Sequence, residues 1–270
     1  MKLLVNGEIQ SAAVSLPYSL SLLRGDGLFE TILTVDEKVI AWQRHYDRLS
    51  KSAERLLITL PAKIDIELGI TKILQGCIGQ SRMRLSVLSD GQWFITVEPE
   101  TISDKPIALM RATGVKSSNA SLSGVKSISY GESLLVVRKA QQLGFDDGIL
   151  LNENGHVVET AFANLLILTS DGWLTPDLKT GCLPGITREL LIKWFDVKEG
   201  LFNFEQLLAA KAVYLTSSIR LIQPVSKVED QLFGESLIGI QLITQFSQRL
   251  FSNINPVSYT HLTLPTILLV

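Results

Sequence analysis

Cysteine is scarce. Cys77 and Cys182 are the only two in 270 residues and lie far apart in the chain. That spacing argues against a disulfide framework, and two thiols with three histidines make no zinc-binding pattern. Both cysteines read as reduced, buried thiols, and no metal site is expected. Charge of one sign is also missing. Twenty-five basic and 27 acidic residues are mixed along the chain, for a net charge of −2. There is no basic stripe for nucleic acid and no acidic tail for a charged partner. No apolar run reaches the ~18 residues that suggest a membrane span. The start, "MKLLVNGEIQ", lacks the apolar core of a signal peptide. These absences set the expectations: a cytoplasmic protein with no nucleic acid and no membrane, whose partner is a small molecule or a second copy of itself.

What is present is a globular composition, 46% hydrophobic and 19% charged, with enough length for one large core or two modest ones. The spacing predicts hairpins turning at Asn6-Gly7, Asp36-Glu37 and Asp90-Gly91. Leu49, Ala53, Leu56 and Leu57 carry a helical period, and a second helix is expected over residues 64–79. This order gives an α+β first domain over residues 1–112. Residues 113–124, small and polar, read as an inter-domain linker. A larger C-terminal mixed domain is expected over 125–253. It begins with a helix to which Leu134, Leu135, Arg138, Gln141 and Gln142 give an apolar and a polar face, and which Gly144 stops. Hairpins then turn at residues 153–155 and at Asp171-Gly172. A helix opens after Gly185, followed by the strand "AVYLTSS" and a final helix over about 235–251. No internal repeat is present. The tail, 254–270, has two prolines and no clear period, and reads as a non-native extension rather than a docked strand.

One stretch poses a chemical question. Residues 155–168, "GHVVETAFANLLIL", hold a single charge at neutral pH, Glu159. A carboxylate in an apolar strand must be solvated, paired or hydrogen-bonded, because burying it alone is costly. Glu159 either sits on a solvent face or meets a cation in a closed site; a protonated heterocyclic nitrogen would qualify. Downstream, "CLPGITREL" places Gly185 before a helix, whose free N–H groups and dipole favour an anion such as phosphate. Thr187 adds a hydroxyl. Taken alone, the same residues also describe an ordinary helix start.

Together these residues are more specific. Glu159, Ala161, Asn164, Leu165, Thr175, Leu183, Gly185, Ile186 and Arg188 resemble, in type and spacing, the signature of the class IV aminotransferases, the fold-type IV pyridoxal-phosphate enzymes. Leu166 and Trp173 depart from it, apolar for apolar. "RGDGLFETI", "HYDRLSKSAERL", "GFDDGILLNENGHVVE" and "VYLTSSIRLIQPV" are similar to further family segments, so the resemblance covers most of residues 1–250. It implies a two-domain α+β fold, pyridoxal 5'-phosphate as cofactor, and a homodimer with the cofactor between domains. It also implies roles by position. Lys126 would attach the cofactor; by itself it is one lysine among many. Glu159 would hold the pyridine nitrogen. Arg48, the N–H groups of Ile186 and Thr187, and the Ser218 hydroxyl would hold the phosphate, with Ser217 a second candidate. Tyr130 would lie near the ring oxygen, and His45 would be structural.

The family includes branched-chain and D-amino-acid transaminases and 4-amino-4-deoxychorismate lyases. The Arg-x-His carboxylate trap of the D-amino-acid enzymes has no counterpart in "RLSVLSDGQWF". The chain looks closest to the lyases, so the resemblance implies release of 4-aminobenzoate and pyruvate from 4-amino-4-deoxychorismate. The alternative is amino transfer on a branched-chain or D-amino acid. Arg84 and Arg111 are candidates for a substrate carboxylate.

Overall fold

The computed structural model describes residues 1–10 and 19–252. The tail expected to be non-native lies outside the described residues. The first half folds around a six-stranded sheet of β1 (Lys2–Val5), β2 (Glu8–Ile9), β3 (Gly27–Val35), β4 (Lys38–Val39), β5 (Gln80–Leu88) and β6 (Trp93–Pro99), in the order β2-β1-β6-β5-β3-β4. Its strand pairs among the described residues are all antiparallel. A short α1 (Leu20–Arg24), α2 (Trp42–Leu56) and α3 (Lys63–Leu74) accompany it. Leu4, Ile32, Leu49, Ile66, Ile73, Met83 and Ile95 form the core between sheet and helices. Each fully buried aliphatic side chain there contributes about 1.5–3 kcal/mol. The helix expected over 64–79 ends at Leu74, because the chain turns through Gly76 and Gly79, both at φ +75°.

The buried residues of α2 are His45, Arg48, Leu49, Ser52 and Ala53. Their spacing of three and four places them on one face. Three of the five, His45, Arg48 and Ser52, are polar groups that need partners, so this face serves both the core and the site.

The second sheet has nine strands: β7 (Ile107–Val115), β8 (Asp147–Leu151), β9 (Val157–Thr160), β10 (Asn164–Thr169), β11 (Gly172–Pro176), β12 (Val197–Gly200), β13 (Ala212–Ser217), β14 (Leu221–Val228) and β15 (Gln231–Leu232). Its main order is β12-β11-β10-β13-β14-β7-β8-β9, with β15 on β14. It mixes parallel pairs (β7 with β8, β7 with β14, β11 with β12) with antiparallel ones. Helices α4 (Gly131–Gln142), α5 (Ile186–Trp194), α6 (Phe204–Leu208) and α7 (Leu237–Phe251) accompany it. The boundary expected after residue 112 therefore falls earlier. β7 lies between β14 and β8 as a full member of the second sheet, and residues 100–106 make the crossing. The expected linker loses its first three residues to that strand. The sequence hid this because "ATGV" is small and polar, while the pairing that makes it a strand comes from residues far away.

After the turns of residues 118–124 the chain returns to the first sheet. Phe29 N–H donates to Lys126 O at 3.0 Å and Ile128 N–H to Gly27 O at 3.0 Å, with Leu28 bridged to Ser127. Gly27 is required here: a Cβ would stand 2.6 Å from Val87 O. Lys126 is thus pinned by its backbone to the edge of β3, where the two sheets meet.

Candidate active site

Lys126 is half-buried. Its Nζ lies 4.4 Å from the centre of the Phe29 ring and 3.5 Å from Tyr130 Oη. Burial, followed by the charge of Arg48, lowers the amine to about 8, against the pull of Glu30 and Glu159. An amine so placed is partly neutral near physiological pH and able to attack a carbonyl. Tyr130 stands edge-on to Phe29, with centroids 5.0 Å apart, and stacks on Phe162 at 5.7 Å. Burial and then Glu159 push its phenol up to about 12, so it stays protonated. Arg84, from β5, lies over Phe29 with Cζ 3.7 Å from the ring centre. It has no carboxylate partner among the described residues. Arg111 is elsewhere, over Phe204 in the second half.

Glu159 is 6% exposed, which excludes the solvent-face reading. The Lys116 ammonium pairs with Oε1. Asn164 Nδ2 donates to Oε2 at 3.1 Å and the Leu183 N–H donates to it at 2.9 Å. The cation of the closed-site alternative is present here as Lys116, a residue the sequence did not single out. Asn164 also donates to Leu183 O at 2.9 Å. This bond brings Asn164 so close that a Cβ on Gly185 would stand 1.9 Å from its Oδ1. Only glycine fits there, and no side chain caps α5, which begins at the next residue. The N–H groups of its first turn, at Ile186 and Thr187, are left for another acceptor.

On the other side of the same turn, Arg48 Nη1 donates to Pro184 O at 2.9 Å. Arg48 also grips Glu30 through Nε at 2.9 Å and Nη2 at 2.6 Å. Glu30 was not foreseen. It bonds His45 Nδ1 at 2.7 Å, and His45 Nε2 lies 3.3 Å from Ser218 Oγ. Burial alone would raise Glu30, but the Arg48 charge and the bonds from His45 and Arg48 prevail and hold it at about 2. Burial lowers His45, and Glu30 opposes that shift. Ser217, the second candidate, instead accepts the Arg220 N–H at 3.1 Å. A groove of about 300 Å³, lined by Arg44, Arg48, Lys51, Val125, Pro184 and Ile186 among others, opens beside the turn.

The structure therefore brings Lys126, Tyr130, Arg48, Glu159, Ser218 and the start of α5 into one region. It adds Phe29, Glu30, Lys116 and Phe162. Glu30 had a signal: it is the lone charge in the apolar strand "GLFETILTV", as Glu159 is in its own. These residues fit pyridoxal phosphate. They offer a neutralisable amine, a buried carboxylate already facing a cation, a protonated phenol, and a glycine-cleared helix start beside an arginine.

Comparison with known proteins agrees. The family described as "Amino-transferase class IV" matches residues 27–228. A Methanocaldococcus jannaschii protein named "Putative branched-chain-amino-acid aminotransferase" is 27% identical over 268 residues, 88% of this chain and 92% of that protein. The crystal structure of a Legionella pneumophila protein named "Putative 4-amino-4-deoxychorismate lyase" superposes with a TM-score of 0.81 at 26% identity, covering 87% of this chain and 96% of that one. The pyridoxal-phosphate-bound form of a "hypothetical aminotransferase" from Mycobacterium tuberculosis reaches 0.85 at 20% identity, covering 94% and 100%.

Proposed function

The chain belongs to the class IV aminotransferases, a pyridoxal-phosphate-dependent family, and from that premise we propose that it is a lyase converting 4-amino-4-deoxychorismate to 4-aminobenzoate and pyruvate. The observation that carries this reading is the arrangement on Phe29. One ring holds the Lys126 amine on it and the unpaired Arg84 guanidinium 3.7 Å from its centre. The proposed substrate presents an amine and two carboxylates, so it needs an amine-handling lysine and a fixed cation within one substrate length. The similarity to the Legionella protein supports the same reading.

When bound, pyridoxal phosphate supplies a sink for the electrons released beside the substrate amine. Glu159 would hold its ring nitrogen, and Tyr130 would donate to its ring oxygen. Arg48, Ser218 and the N–H groups of Ile186 and Thr187 would hold its phosphate. Lys126 Nζ takes the proton from the ring carbon bearing the amine and returns one to the departing enolpyruvate. The reaction therefore consumes no net proton, and aromatisation of the ring drives it. Arg84 orients one carboxylate, so that the enzyme's task is alignment and proton carriage.

Purified protein is expected to release pyruvate and 4-aminobenzoate in equal amounts from 4-amino-4-deoxychorismate. Absence of both products from cofactor-loaded protein sinks the lyase reading. The second reading, amino transfer on a branched-chain or D-amino acid, is favoured by the name of the Methanocaldococcus relative. Its signature is loss of the cofactor's visible absorbance on adding an amino donor alone.

The working unit in this reading is a cytoplasmic homodimer. Leu134 and Leu135 of α4 are 45% and 46% exposed beside the exposed Arg138, Gln141 and Gln142, a mixed face that a second copy would cover. No helix among the described residues is long and apolar enough to cross a membrane. Light scattering of the purified protein tests the dimer.

A further inference from the structure

We propose that Glu30 is the positioning residue of the phosphate cup, holding Arg48 directly and Ser218 through His45. The inference rests on the reading of Arg48 and Ser218 as phosphate ligands given above. Glu30 is 1% exposed, and both of its oxygens are engaged. Oε1 accepts from Arg48 Nε; Oε2 accepts from Arg48 Nη2 and meets His45 Nδ1. An ionised carboxylate can only accept, so Nδ1 of His45 carries the proton and Nε2 is turned to Ser218.

The guanidinium has five N–H groups. Two go to Glu30 and one to Pro184 O, so two remain for an anion, aimed by the three that are fixed. Without Glu30 the fork can turn about its stem. A buried ion pair that served stability alone would need only Glu30 and Arg48. The second arm, through His45 to Ser218, is what such a pair does not require. It joins two residues that lie 170 positions apart in the chain and that the site reading places on one phosphate. Burial keeps the ring neutral, so Nε2 accepts the Ser218 hydroxyl proton and sets the direction of that side chain.

The test compares equilibrium binding of pyridoxal 5'-phosphate and of pyridoxal to the apoprotein, read from the absorbance of bound cofactor, in wild type, Glu30→Gln and His45→Asn. Wild type is expected to favour the phosphorylated form. Glu30→Gln should lower that preference at least about tenfold, the worth of one charge-assisted hydrogen bond, while pyridoxal binding stays within about twofold. Asn at position 45 keeps a donor near where Nδ1 stood but cannot reach Ser218, so His45→Asn should lower the preference by about three- to fivefold. A Glu30→Gln protein that retains the wild-type ratio, or binds both forms equally less well, overturns the proposal while leaving the lyase reading intact. A wild type with no preference for the phosphorylated form removes the phosphate cup itself, and this inference with it. If Glu30→Gln does not fold, His45→Asn decides: an unchanged ratio overturns the proposal.

Discussion

Two carboxylates flank Lys126, one from each sheet, and they are built differently. Glu30, on β3, is clamped by two N–H groups of one arginine and by a buried histidine. Glu159, on β9, is met by two neutral donors and by Lys116, whose side chain is 30% exposed. A planar fork closed on both oxygens is a fixed arrangement, whereas an ammonium on a flexible stem is a replaceable one. The fixed carboxylate suits a structural and aiming task. The replaceable pairing suits a carboxylate that must exchange one cation for another.

Exchanging function between the two is the most direct way to break this contrast. Glu159→Gln should lower kcat by about 10²–10³-fold, the range for loss of one preorganised electrostatic contact, with modest change in the melting of the apoprotein. Steady-state kinetics on cofactor-saturated protein measures it; a kcat within a fewfold of wild type would mean that Glu159 faces no developing charge. Glu30→Gln should instead cost stability, on the order of 3 kcal/mol, because it leaves a buried guanidinium without its counter-charge. The sign with pH follows from the direction of the shift. Glu30 falls from 4.5 to about 2 on folding, so its contribution is fully present above pH 4.5 and fades as pH drops toward 2. Acid unfolding curves of wild type and variant should therefore converge across that interval, and parallel curves would assign the acid sensitivity to other groups.

Lys126 sharpens the contrast from between the two carboxylates. Its amine falls from 10.5 to about 8 on folding, so the folded apoprotein holds a disfavoured charge below pH 8. Stability rises as pH climbs from 8 to 10.5. Lys126→Met should stabilise the apoprotein at neutral pH by on the order of 2 kcal/mol while abolishing turnover, and the gain should shrink toward pH 10.5. Denaturant titrations at the two ends of that range test it. The smallest effect is expected at Lys116: Lys116→Met should change apoprotein stability by about 1 kcal/mol or less, as for other partly exposed ion pairs. A larger loss would make the two carboxylates alike after all.

The local signals were legible and the distant pairings were not. Turn residues such as Asn6-Gly7 and Asp90-Gly91, the period of α2 and the glycine before α5 act within a few positions, and each element formed where they placed it. Glu159 could be singled out because a lone charge in an apolar strand has few acceptable fates. Lys126 could not be chosen on physical grounds from the sequence, since its depressed amine comes from burial and from the charges of Arg48 and Arg84, which folding brings together. The same holds for β7, whose strand character comes from β8 and β14 on either side. Lys116 stayed hidden because its partner is 43 residues away, across the turns of residues 118–124. Glu30 is different: like Glu159 it is a lone charge in an apolar strand, and "GLFETILTV" would have yielded it.

The stitching of residues 126–128 to the edge of β3 has a mechanical consequence. In chain order Lys126 follows β7 of the second sheet, yet its main chain rides with the first sheet. Any hinge movement between the halves carries the amine one way and Glu159 the other. The gap between them then gauges how far the molecule is open, and four rotating methylenes are all the reach the amine has to span it.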